Sequence, residues 1–267
     1  MHTAWTRRLK LLGALLILAA TTGCAGDGQG GNQELGAARS AFEQGDYAGA
    51  YQQASRIAER GGQSKARAAY IAGLAARQQG KLNLAARWLR RASRQGEEAV
   101  VADARAELGI VYHQQGKYGR AARVLERASQ DLLGNDRAQA LLFAGIARQK
   151  LGDWDQARRQ LRFARAAATN SGLKRKINRQ LKVTGYTIQV GAFREAANAR
   201  QAARNWRSKA QNLGLRDPRL VSGQGQGGGL TSVQLGRFDT VAAANRARQG
   251  LGADNAIVVP LAGQGTR

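Results

Sequence analysis

Cysteine is almost missing from this chain. Cys24 alone among 267 residues excludes any disulfide within the molecule. Histidine is as scarce. His2 and His113 are the two, and His2 falls in a leader-like segment, so neither a histidine-based triad nor a His/Cys metal cluster can be assembled. Two prolines exclude a long proline-rich linker. Acidic residues are outnumbered by lysine and arginine, 18 to 42, which leaves a net charge of +24 and a pI near 11.5. The acids Asp217, Asp239 and Asp254 stand singly at predicted loops or caps. A glycosidase sets two carboxyl groups across one bond. The chain therefore reads as non-enzymatic, with no catalytic residue, no metal and no cofactor. The charge has two readings: an attraction for polyanions, or arginine used as the solvated residue of helix faces.

What is present begins with a leader. Arg7, Arg8 and Lys10 precede a short apolar core from Leu11 to Ala20, too short to span a bilayer as a helix. Thr21-Thr22-Gly23-Cys24 follows. Small residues ending in Gly-Cys resemble the bacterial lipobox, with Thr21 where leucine is usual. The resemblance implies that the Cys24 thiol carries a diacylglycerol and becomes the new N-terminus, usually with a third acyl chain such as palmitate. Two or more chains anchor stably where one binds marginally. Ala25 after the cysteine points, by the same resemblance, to the outer membrane. Ordinary cleavage after Ala25 is the alternative. Residues 1–23 are thus read as a signal peptide and 24–33 as a glycine-rich flexible tether. Export argues against a nucleic-acid partner.

Four glycines then recur, Gly45, Gly80, Gly116 and Gly152, at spacings of 35, 36 and 36. Each lies between two helical patterns. Small residues stand seven positions earlier, Ala38, Gly73, Gly109 and Gly145, and five later, Ala50, Ala85, Ala121 and Ala157. This is similar to the tetratricopeptide pattern of helix-turn-helix units. Small side chains allow the two helices of a unit to approach, while Leu89, Leu125 and Leu161 are expected to fill the space between units. The repeats cover 34–170, and 171–185 forms a basic capping helix and linker. Stacked repeats make a curved solenoid whose concave face commonly binds protein partners. Tyr70, Tyr112 and Phe143 are read as packing residues.

The last third repeats itself. Ile188-Gln189-Val190-Gly191-Ala192-Phe193 returns 45 residues later as Val233-Gln234-Leu235-Gly236-Arg237-Phe238. Each copy alternates as a two-faced strand and leads into an alanine-rich helix. Asp239 is a plausible N-cap for the second helix. Leu220-Val221 and Ala256 to Val259 supply two further strands, and Gly223 to Gly229 a hairpin loop. The pattern resembles the SPOR domain, a bacterial module that binds peptidoglycan glycan strands. The fold class is multidomain: an α-helical tetratricopeptide solenoid, then a small α+β, ferredoxin-like β-α-β-β-α-β domain at 186–262.

Both helices should cover one sheet face. The other, open face then carries Gln189, Gln234, Thr187 and Ser232, with glycines that let a ligand reach the backbone. Amides and hydroxyls match sugar hydroxyls and N-acetyl groups. The resemblance implies binding of glycan stripped of its stem peptides, with Gln189 at the family's usual glutamine and Gln234 its internal counterpart. Arg237 stands where the family often has proline, and pairs in this reading with the lactyl carboxylate of muramic acid. The chain is expected to be an envelope lipoprotein on the periplasmic side, anchored through Cys24. Its SPOR-like domain would hold septal or remodelled wall while its repeats recruit a protein, in wall remodelling or cell division. The alternative is an assembly lipoprotein of a secretion or pilus machine whose SPOR-like domain binds protein.

Overall fold

Alanine and leucine at three- and four-residue steps, with no proline before Pro218, leave helix as the regular structure up to Val183. The computed structural model describes residues 28–223 and 229–261. The signal peptide at 1–23, Cys24, the start of the tether, the middle of the Gly223–Gly229 loop and residue 262 lie outside them. The helices come in pairs: α1 (Gly28–Glu43) with α2 (Tyr47–Arg60), α3 (Lys65–Gln78) with α4 (Leu82–Ala92), α5 (Glu98–Gln114) with α6 (Tyr118–Asp131), and α7 (Gly134–Lys150) with α8 (Trp154–Ala167). A final helix, α9 (Ser171–Val183), buries Ile177 completely. Part of the expected tether is helical, because α1 begins at Gly28. Buried Ala38 and Phe42 secure that helix, and extending an existing helix costs far less than nucleating one.

The recurring glycines end the first helix of each pair. Gly80, Gly116 and Gly152 take φ of 74°, 72° and 76°, the left-handed region that glycine enters without penalty. The next amide then bonds back five residues, as Lys81 N–H does to the Ala76 carbonyl and Lys117 N–H to that of Tyr112, both at 2.9 Å. That bond closes a helix C-terminus with a sharp turn.

The small residues do as expected, and two of the leucines also pack within their own pairs. A methyl added at Gly73 would come within 2.6 Å of Leu89 Cγ, and one at Gly109 within 2.4 Å of Leu125 Cγ. Leu89 and Leu125 therefore pack inside their own pairs, on a bare backbone, and share one core cluster with alanines of neighbouring pairs, among them Ala102, Ala106, Ala140 and Ala144. The first pair has Ala38 and Ala54 at the corresponding places, both fully buried. Two links between pairs had no expectation. Gln79 donates to the Tyr47 carbonyl at 2.7 Å, and Gln115 to Asn83 Oδ1 at 3.0 Å, each reaching the preceding pair's second helix. Arg77 of α3 also meets Glu107 of α5 at 3.1 Å. Burial pushes the Glu107 carboxyl up and Arg77 draws it back, so the ion pair keeps a charge in the core that would otherwise be expensive.

Compactness divides the chain into two units. One holds the helices up to Ala147 with Phe163–Leu173; the other holds Arg148–Arg162 and the chain from Lys174 onward. In the second unit follow β1 (Tyr186–Phe193), α10 (Ala196–Asn212), β2 (Arg219–Ser222), β3 (Thr231–Phe238), α11 (Val241–Gly250) and β4 (Ile257–Pro260). The strands pair antiparallel in the order β2-β3-β1-β4, the expected ferredoxin-like arrangement. Ile188 and Leu235 lie fully buried with Ala210 of α10 and Leu251 after α11, so both helices cover one face. Thr240, not Asp239, caps α11, its Oγ1 accepting from the Ala243 amide at 3.1 Å.

The glycine contact yields a paired test. Gly109→Ala should cost about 1–3 kcal/mol in denaturant unfolding, because a packed leucine must move. Gly119→Ala, whose added methyl meets only the Arg123 guanidinium at 4.0 Å, should be neutral or stabilising by up to about 1 kcal/mol.

Candidate functional site

The sheet face away from the helices carries a row of four side chains. Ile257, Gln189, Gln234 and Arg219 lie opposite one another across β4, β1, β3 and β2. Residues directly opposite in an antiparallel sheet share a face and sit within contact distance. Ile257 is 54% exposed, and Gln189 is partly exposed beside it. Gln234 is 1% exposed: its Oε1 accepts from the Arg219 guanidinium at 3.1 Å, while its Nε2 has no acceptor. Ser232 follows on the same face, partly exposed, between Ala192 and Val221.

Three sequence expectations for this face are corrected. Thr187 is fully buried, and its hydroxyl is shared between the Leu235 and Gly236 carbonyls at 3.0 Å, so it presents no free group. Gln234 belongs to the face but lies beneath Arg219 rather than open to solvent. Arg237 is turned away and donates to the Lys182 carbonyl at 3.0 Å. The cause is a bulge: β3 has an extra residue between Leu235 and Phe238, and Gly236 there takes a φ of 65°.

The glycines of the duplicated hexapeptide are also not open to a ligand. A methyl on Gly191 would come within 2.7 Å of the Phe193 ring, and one on Gly236 within 2.6 Å of the Phe238 ring. A second bulge, in β1 after Gln189, sets Gly191 opposite Val233 on the helix side. Each Gly-x-Phe is therefore a glycine beneath its own phenylalanine. Arg219 was not anticipated. Leu220-Val221 marks a strand, but nothing in the sequence fixes its register against Gln234. Burial, and then repulsion from Arg237, pushes the Arg219 guanidinium below its ordinary value.

Arg158 of α8 binds three groups of its own unit. It donates to the Leu181 carbonyl at 3.0 Å and to the Thr184 carbonyl, and pairs with Asp239 at 2.5 Å. Arg162 adds a longer contact to Asp239 at 3.5 Å. Thus Asp239 is drawn from the cap position into an ion pair. Tyr186, at the start of β1, is pushed up to about 12 by burial and by the Asp155 carboxylate it hydrogen-bonds. Among the described residues, no cluster of His, Cys, Asp and Glu could hold a metal ion.

Residues 182–260 match the SPOR domain family. The match begins at Lys182, which receives Arg237, and ends at the last residue of β4. No curated protein matches the chain. Among solved structures, the chain is similar to YrrB, a TPR protein with an unusual peptide-binding site, at 18% identity and a TM-score of 0.47, over 57% of this chain and 76% of that one. It is similar to a MamA variant at 20% identity and a TM-score of 0.46, over 58% and 86%. A Podospora anserina kinesin light chain with nearly identical TPR-like repeats shares 16% identity, with a TM-score of 0.48 over 68% and 90%.

The Arg158 contacts rank two substitutions. Arg158→Gln should destabilise the second unit by about 1–3 kcal/mol, since charged bonds to part-buried carbonyls are lost. Asp239→Asn should cost under about 1 kcal/mol, because Asp239 is 48% exposed and solvent screens its pair. Thermal unfolding of both variants checks the order.

Proposed function

We propose that this chain is a non-enzymatic envelope protein that holds peptidoglycan glycan through its SPOR domain and a protein partner through its TPR-like repeats. The observation that carries it is the row Ile257–Gln189–Gln234–Arg219, within a region that matches a family of peptidoglycan-binding modules. The row crosses all four strands, long enough to follow an extended chain. Ile257 gives an apolar seat for the C–H face of a sugar ring. Gln189 and Ser232 supply amide and hydroxyl groups that both donate and accept. This chemistry needs no cofactor and breaks no bond.

Lipidation at Cys24 would hold the chain on the periplasmic side of a membrane, the outer one by the Ala25 rule. Wall binding at the other end then raises the partner's local concentration without chemistry. Glycan stripped of its peptides, as in septal or remodelled wall, is the ligand that suits this face. Such a chain supports cell-wall remodelling or division. The net charge of +24 adds a looser attraction to anionic wall that salt weakens.

Two experiments test this. The full chain in detergent should be retained by sacculi, more strongly after an amidase removes the stem peptides. Retention should survive added salt and fall about fivefold in Gln189→Ala, the effect of one lost hydrogen bond. Retention indifferent to the amidase and abolished by salt would mean charge alone, and would favour an assembly lipoprotein whose SPOR domain binds protein. In cells, Cys24→Ser should move the chain from the membrane fraction to the soluble one; a variant still in the membrane fraction would contradict a lipid anchor at that residue.

A further inference from the structure

We infer that Arg219 reads the lactyl carboxylate that muramic acid exposes once its peptide is removed, with Gln234 as the residue that positions it, an assignment that rests on the glycan reading above. Gln234 is 1% exposed and its Nε2 has no acceptor, although its Oε1 is used by Arg219. A buried donor without an acceptor is costly and awaits an oxygen. Above it, the half-buried guanidinium has five N–H groups, of which one is spent on Gln234. Among the described residues no carboxylate pairs with Arg219, and the charge that acts on it is a second cation, Arg237. A planar cation with free donors, a spare amide N–H beneath it and no counterion is a site for a carboxylate, which arginine grips through two parallel bonds.

Position selects which carboxylate. Arg219 ends the row that begins at Ile257 and passes through Gln189, so a glycan laid on the row brings its substituents to β2. While the stem peptide is attached, the lactyl group is a neutral amide extended by a bulky chain. Amide hydrolysis frees the carboxylate and removes the bulk. Arg219 would thus give the face its preference for stripped wall. Arg237, turned onto Lys182, is not needed for it.

The test uses the full chain in detergent and three soluble glycan probes of equal length: fully stripped, stripped with the lactyl carboxyls as methyl esters, and carrying stem peptides. The unmodified chain should bind the stripped acid about tenfold more tightly than the ester, the scale of a charge-assisted bond. Arg219→Gln should bind acid and ester alike, at the ester's affinity. Arg219→Lys should keep part of the preference, and Arg237→Gln should keep all of it. Acid and ester bound equally by the unmodified chain would overturn the role of Arg219 while leaving glycan binding intact. A preference lost in Arg237→Gln but kept in Arg219→Gln would overturn it in favour of the other arginine. Peptide-bearing glycan bound as tightly as the stripped acid would overturn the lactyl source, because the peptide's own carboxylates would then suffice. No binding of any probe would overturn the glycan reading itself, and this assignment with it.

Discussion

Both halves of this chain depend on a large side chain resting on a glycine. In the helical pairs Leu89 lies on Gly73 and Leu125 on Gly109. In the sheet Phe193 lies on Gly191 and Phe238 on Gly236. In each case the space a methyl would need is already occupied. An interior made mostly of alanine has little apolar surface per residue, so close backbone approach supplies packing that larger side chains would give elsewhere. This economy also explains why Leu89, Leu125, Phe193 and Phe238 fall at fixed steps from glycines.

That constraint shapes the candidate site. The phenylalanines take the glycine positions, and the bulges they accompany turn Arg237 outward and Gly191 toward the helices. What remains on the open face is narrow: Ile257, Gln189 and Ser232 partly exposed, with Gln234 buried beneath Arg219. Arg158 ties Asp239, just after β3, to the carbonyls at the end of α9, just before β1. Together they leave a row of few polar groups across the strands, an arrangement suited to an extended polymer.

Much of this was legible in the residues. The glycine spacing gave the helical pairs and the left-handed turns, because only one residue type fits that backbone cheaply. The duplicated hexapeptide gave the β-α units and marked Gln189 and Gln234 as counterparts, which the structure then sets opposite one another. What was not legible depended on register and on long-range contacts. Bulges flip which face a residue occupies, so Gly191 could not be placed by alternation. The burial of Gln234 required Arg219, fifteen residues earlier on a strand that belongs to neither copy of the repeated hexapeptide. The capture of Asp239 required Arg158 from a helix that precedes the sheet by a full element. Gln79 and Gln115 did carry a signal, a glutamine just before the turn glycine, as at Gln44.

The most direct measurement is amide and side-chain NMR of the isotope-labelled full chain in detergent, titrated with stripped glycan. Shifts confined to Gln189, Ser232, Ile257 and the Arg219 guanidinium would establish that the open face receives the sugar chain. Shifts that instead centre on α10, α11 or the helical pairs, with that row silent, would contradict it.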